Sequence, residues 1–227
     1  MVDIARSECT RTHTYSRGAE IFRLAAESFG VTLPSEQLGE WQFLIKAAFT
    51  LDNILDSDMP LSEREKAFDE GVEALLYPLA EQWDDRKINR VVSAADRVKN
   101  IAAEKREAVS ARLLGKLAVH EGEETARFLQ LDNPAGSNAD DFNTWLKYLL
   151  RFGVPIDTAV DLREDYGHNL TQVTPTRLNS AVIASFAMPW ARQLLTRTPS
   201  RLYRPLFAAA RAVTQDTAKD TVLQSTP

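Results

Sequence analysis

Asp52 and Asp56 stand four residues apart in "LDNILD", and Asp157, Asp161 and Asp165 repeat that interval in "DTAVDLRED". Residues four apart are neighbours on a helix surface, so each like-charged pair costs about 0.2–0.5 kcal/mol in an isolated helix. Asp is also a mediocre helix former and expensive to bury unpaired. A row of such residues beside an apolar face is not how a chain gains stability, and a divalent cation would resolve the repulsion. Hard carboxylate oxygens, with no cysteine or histidine in either row, select Mg²⁺ or Mn²⁺ over zinc or copper. Mg²⁺ takes one or two protein carboxylates and completes its shell with water and phosphate oxygens. Two facing rows therefore suit a phosphate-bearing ligand held between them by metal ions.

The bland alternative is a pair of solvated acidic stripes. With Asp at about 7% of residues, roughly one D-x-x-x-D match arises by chance in a chain of this length, and Asp216 to Asp220 in the tail is taken as that match. Two matches within apolar helical segments, one of them three turns long, favour the cation site. Asp58, six residues beyond Asp52 and just before Met59-Pro60, falls off the stripe and is expected to be a helix-end acid. Glu164 adds a fourth acid to the second row. No Walker-type glycine-rich cradle is present, so a nucleotide is not the obvious ligand.

Helices must position these rows. Apolar residues recur at helical spacing nearly throughout, and the alternation and turn signals of a sheet protein are missing. The expected fold is all-α: one domain over residues 1–227, an antiparallel helical bundle with flexible ends at about 1–14 and 218–227. "SRGAEIFRLAAESFG" predicts a first helix closing on Gly30, and Ser35 offers the cap of a second from Glu36 to Asp56. In that helix Leu44, Ala48, Leu51 and Leu55 face the core, while Asp52 and Asp56 lie one position on. Ser62 and Glu65 form a capping box for the third. Stretches from Lys87 to Lys105 and from Glu107 to Leu131 follow, separate or as one bent helix. Asp140 or Asp141 caps a long helix to Tyr166, kinked at Pro155, with Ile156 and Val160 on its apolar face. Final helices are expected near 178–197 and 199–217.

With 227 residues, 44% of them hydrophobic and nine glycines, the chain can bury a sizeable core. A net charge of −5 argues against a general nucleic-acid footprint. The single Cys9 excludes an intramolecular disulfide framework and a cysteine-based zinc site. No run approaches the roughly 18 apolar residues of a membrane span, and the opening lacks an apolar leader core. No stable membrane insertion is expected; a cytoplasmic location is, and a homodimer is compatible with the pattern.

The two rows resemble the aspartate-rich motifs of the class I isoprenoid (terpenoid) synthase superfamily. "DNILD" looks like the D-x-x-x-D motif of squalene and phytoene synthases, and "DTAVDLRED" like their second motif, with Asp157 where those families usually place Asn. "DLREDYGHNL" and "LDNILD" are also similar to the motifs of bacterial large-terpene synthases. The resemblance implies a helical bundle around a central cavity. It also implies a prenyl diphosphate substrate of C10 to C20, a Mg²⁺ cluster, and Asp52, Asp56, Asp161 and Asp165 as catalytic metal ligands, with Asp157 as a fifth. The reaction implied is cyclisation or elimination to a terpene, or else a squalene- or phytoene-like condensation.

An allylic cation needs a dry, aromatic-walled pocket. Phe49 shares the face of Asp52 and Asp56 and is the first candidate for that wall. Trp145, Tyr148 and Phe152, like Phe186 and Trp190, form helical stripes better suited to core packing. A diphosphate also needs cationic donors, for which Arg is the better choice. Arg112 stands where terpene cyclases place a diphosphate-sensing Arg before a helix break, here at Gly115. Arg201, Tyr203 and Arg204 are further candidates near the C-terminal end. Lys46 and Arg163 are turned away from the acids by helical phase. Two other readings remain open. A di-iron carboxylate protein would want Glu and Glu-x-x-His pairs, of which Asp165-x-x-His168 is a near match, and His120 to Glu124 reads as a polar patch. A helical scaffold could bind a prenyl diphosphate or a partner without turnover.

Overall fold

The computed structural model describes residues 22–57, 59–80, 82–132 and 138–202. The protein is all-α, with no strand among the described residues. Its helices are α1 (22–28), α2 (Ser35–Leu55), α3 (Leu61–Ala80), α4 (Asp85–Glu107), α5 (Ala111–Phe128), α6 (Ala139–Gly167), α7 (Arg177–Ser185) and α8 (Met188–Arg197), followed by a 3-10 turn at Ser200–Leu202. None of the described helices is long and apolar enough to cross a membrane. Cys9, Asp58, Tyr203, Arg204, both expected flexible ends and the rest of the expected 199–217 helix lie outside the described residues.

Local chemistry sets the boundaries, with some corrections to the sequence expectations. Gly30 adopts a φ of 75°, the left-handed stop expected after α1. Ser35 and Ser62 are not caps but lie inside their helices. In each case a preceding proline opens the ladder: the Pro34 carbonyl accepts from Leu38 N–H at 2.9 Å, and that of Pro60 from Arg64 N–H at 3.0 Å. Proline's fixed φ is already near the helical value, so it displaces serine from the opening position. Asn138 takes the cap of α6, which leaves Asp140 and Asp141 in the first turn, where negative charge suits the positive end of the helix dipole. α6 runs through Pro155.

The segment from Lys87 to Leu131 is two helices, divided at Ala108–Ser110, where the Ser110 hydroxyl accepts from Leu113 N–H at 3.3 Å. The expected 178–197 helix is likewise two. It breaks at Phe186–Ala187, where the Phe186 ring lies against Gly115: a Cβ on that glycine would sit 2.5 Å from Phe186 Cδ2. Gly115 therefore is not a helix break but an interior residue of α5 that admits a neighbouring ring.

Chain direction follows from contacts between helix ends. Arg64, early in α3, donates to the Leu55 carbonyl at the end of α2 at 3.0 Å. Lys99, in the second half of α4, pairs with Asp69, in the first half of α3, at 2.6 Å. Arg90, early in α4, donates to the Arg127 carbonyl at the end of α5 at 2.6 Å. Asn143, early in α6, exchanges hydrogen bonds of 2.9 and 2.7 Å with the Leu131 backbone just beyond α5. Directions thus alternate, and α2, α4 and α6 run the same way. Trp41 and Phe142, near the starts of α2 and α6, meet at 5.5 Å, and Phe29 and Trp145 extend that aromatic cluster.

The larger core joins Trp41, Leu44, Leu51 and Leu55 of α2 to Phe68, Val91, Phe142 and Trp145. Full burial of such side chains contributes about 1.5–3 kcal/mol each. A smaller core joins Leu114 and Leu117 of α5 to Ala159 and Leu162 of α6 and Ile183 of α7. Val160 does not share it, being 67% exposed. The buried face of this part of α6 is Pro155, Thr158, Ala159 and Leu162, because α5 and α7 pack there. The acidic row accordingly flanks the buried stripe on the side opposite to the one expected.

Candidate functional site

The sequence of directions brings the C-terminal ends of α2, α4 and α6 together. Each is the negative pole of a helix dipole, where cations are favoured and carboxylates are not. Neither α2 nor α6 carries a basic residue in its last turn. Instead α2 ends with Asp52 and the C-cap Asp56, and the last three turns of α6 carry Asp157, Asp161 and Asp165, of which Asp165 is nearest the pole. All five line one cavity of ≈ 270 Å³. The rest of its wall is mainly apolar and includes Phe22, Phe49, Phe68, Phe128, Leu150 and Val154. Phe22 packs on Trp41 at 5.8 Å, so the apolar part of the cavity extends toward the starts of the helices and the acids occupy the other end.

Each of these carboxyls is held above the usual range. Burial, then the charges of Asp56 and Glu121, pushes Asp52 up to about 8, against the pull of Lys105. Burial and Asp157 are the leading causes that raise Asp161 to about 6. Burial raises Asp165 to about 6, opposed by Lys105 and assisted by Asp56 and Asp161. Burial also raises Asp56 and Asp157, and Lys105 moderates both. Asp52, Asp56, Asp157 and Asp161 nonetheless keep much accessible surface. Part of that surface lines the cavity, and the protein packed around it displaces solvent from the carboxylates.

Two residues that the sequence reading did not single out complete this end. Lys105 Nζ pairs with Glu121 Oε2 at 2.9 Å, their side chains 19% and 11% exposed. Burial disfavours the Lys105 ammonium, but Glu121, through its charge and hydrogen bond, and then Asp165 and Asp56 outweigh burial and hold the pKa above its ordinary value. A smaller recess joins Lys105 and Glu121 to Asp52, Asp56, Asp165 and Arg106. Arg106 donates to the Leu55 carbonyl, as Arg64 does, so two guanidiniums satisfy the end of α2.

The other candidates are divided. Phe49 lines the cavity and is 37% exposed. Arg112 sits exposed in the first turn of α5 and is not among the residues that line the cavity. Arg201 lies in the 3-10 turn, and its side chain is outside the described residues. Trp145 is fully buried in the core, donating to Thr198 Oγ1 at 3.0 Å. Tyr148 stacks on Trp190 at 5.9 Å, with Arg151 over the Trp190 ring at 4.1 Å, so these residues fasten α8 to α6. Lys46 and Arg163 are exposed, and His120 and His168 are too. Glu124 pairs with Arg97 at 3.1 Å.

Among the described residues no group of three His, Cys, Asp or Glu side chains forms a ready metal cage. The donor set fits an ion that accepts one or two carboxylates and takes its remaining oxygens from water or phosphate, which is the habit of Mg²⁺. It does not fit a di-iron centre, which needs Glu and His ligands clustered on facing helices. Compared with protein-family models, curated proteins and solved structures, the chain matches none.

Proposed function

We propose that the protein is a Mg²⁺-dependent class I isoprenoid synthase. It would ionise a prenyl diphosphate and convert it to a terpene by cyclisation or elimination, with the helices forming that superfamily's antiparallel bundle around the cavity. The observation that carries this reading is the convergence of five aspartates from the C-terminal parts of two helices on one end of a largely apolar cavity. A solvated acidic surface would not be coupled to a pocket of phenylalanines. Asp52, Asp56, Asp157, Asp161 and Asp165 would hold Mg²⁺, and the bound metal would supply Lewis-acid stabilisation of the departing diphosphate.

The chain's own residues do the rest. Phe49, Phe68 and Phe128 line the cavity and would supply an aromatic, water-excluding wall for an allylic cation. At ≈ 270 Å³ the cavity lies below the about 300–1,000 Å³ of most small-molecule sites, which favours one prenyl chain over the condensation of two. The same volume favours the shorter end of the C10 to C20 range.

Incubation with C10, C15 and C20 prenyl diphosphates and Mg²⁺ should release diphosphate and yield hydrocarbon or alcohol products. Asp52→Ala and Asp161→Ala should each lower turnover by about 10²-fold or more, the scale of losing a group that stabilises transition-state charge. Mg²⁺-dependent binding without turnover at any chain length would instead identify a non-catalytic prenyl-diphosphate carrier.

A further inference from the structure

We propose that Lys105, fixed in place by Glu121, is the site's resident cation: it faces the aspartates in the absence of metal and donates to the anionic head of the ligand when metal is bound. This presupposes the metal and diphosphate reading above. Lys105 is the only basic residue lining the larger cavity among the described residues. It lies in the last turn of α4, where the helix's negative pole favours a cation. An ammonium has three N–H donors, and one is committed to Glu121 at 2.9 Å. The smaller recess is lined by the same lysine together with Asp52 and Asp56 of one row and Asp165 of the other.

The pair cannot easily withdraw. Glu121 is buried on α5, and its neighbour Gly122 lets α5 lie directly on the α6 backbone, where a Cβ would meet the Leu150 carbonyl oxygen at 2.4 Å. Lys105 and Glu121 together add no net charge, so the five aspartates still call for external cations. What the pair adds is a positive donor at a fixed position. Charge balance at the site then couples metal and anion with opposite signs: removing the ammonium makes the site more attractive to metal and less attractive to diphosphate, and neutralising Glu121 does the reverse.

Two measurements on the full chain test this: Mn²⁺ affinity by electron paramagnetic resonance, and affinity for inorganic diphosphate by calorimetry at saturating Mg²⁺. Lys105→Met should tighten Mn²⁺ binding roughly tenfold and weaken diphosphate binding roughly tenfold or more. Glu121→Gln should shift both in the opposite direction, and Lys105→Arg should restore most of the diphosphate affinity. Glu121→Gln retains the ammonium and carries the test if Lys105→Met does not fold. A merely structural lysine would move both affinities the same way or neither, and that outcome would overturn the proposal. Asp161→Asn separates the two levels. If it weakens Mn²⁺ binding while the Lys105 and Glu121 variants change nothing, the metal reading stands and the role of Lys105 falls. If the wild type and Asp161→Asn bind Mn²⁺ equally poorly, both fall.

Discussion

Asp52 shows how much unfavourable electrostatics one residue can carry. It lies in the last turn of α2, at the negative pole of the helix, beside Asp56 and within the field of Asp157 across the cavity. Its folded-state carboxyl is pushed up to about 8, and those of Asp161 and Asp165 to about 6, whereas in the unfolded chain an Asp titrates near about 3.9. Between those limits the folded protein binds protons that the unfolded chain has released. Stability contributed by the protonated forms is therefore complete at low pH and lost as pH rises from about 4 toward 8. In EDTA, the melting temperature should fall between pH 5 and pH 8, apart from any acid unfolding of other groups at the low end. Mg²⁺ bound as proposed would compete with those protons, so its stabilising effect should be larger at pH 8 than at pH 6. Asp52→Asn should flatten the decline and raise the EDTA melting temperature at pH 8 while reducing the response to Mg²⁺. A melting temperature independent of both pH and Mg²⁺ would mean that the rows are ordinary solvated surface.

At the scale of elements, the site depends on how closely α5 approaches α6. Gly122 faces the Leu150 carbonyl and the Arg151 nitrogen, so any Cβ there would strike backbone, which cannot rotate aside. Gly122→Ala should destabilise the fold by about 1–3 kcal/mol, the usual cost of overpacking, as read from urea denaturation. It should also weaken metal and diphosphate binding, since it displaces Glu121 and with it Lys105. The sequence made much of this level legible. Leu44, Leu51 and Leu55 fall on the core side of α2 as their spacing demands, and that phase also sets Asp52 and Asp56 one step off the core. Val160 was misplaced because two apolar residues four apart define a stripe without saying what packs against it, and the packing of α5 and α7 on the other side of α6 is a tertiary fact. Lys105 and Glu121 lie in charge-dense segments, "AAEKRE" and "HEGEE", the second of which reads as a polar patch, solvated or partly buried. A signal existed for one of them: Leu114, Ala118, Glu121, Thr125 and Phe128 share one helical stripe, so Glu121 occupies an otherwise inward-facing phase. Arg112 had no comparable signal, since a count along the chain does not fix which way a first turn faces.

For the whole molecule, the two ends of the α2–α6 pair differ in what holds them. At the starts of these helices Trp41, Phe142, Trp145 and Phe29 interlock, and Trp41 Nε1 donates to the Leu129 carbonyl at 2.8 Å. At the other end the helices present mutually repelling carboxylates to one cavity, which Lys105 also lines. Apolar packing thus fastens one end, while like charges oppose one another at the other, which the proposed cations and anionic ligand would draw together. Local opening should follow that gradient, because segments with few apolar contacts open at lower free energy than the core. In EDTA, amides in the last turns of α2 and α6 should exchange faster than those near Trp41 and Trp145. Addition of Mg²⁺ with inorganic diphosphate should slow exchange in those last turns by about tenfold or more, equivalent to roughly 1.4 kcal/mol of local stabilisation. α8 is fastened to α6 by Trp190 and by the Trp145–Thr198 hydrogen bond, away from the acids, and should not respond. Uniform slowing over all helices would indicate general stabilisation by salt, whereas a response confined to the ends of α2 and α6 is the signature of a clamp that closes on its ligand.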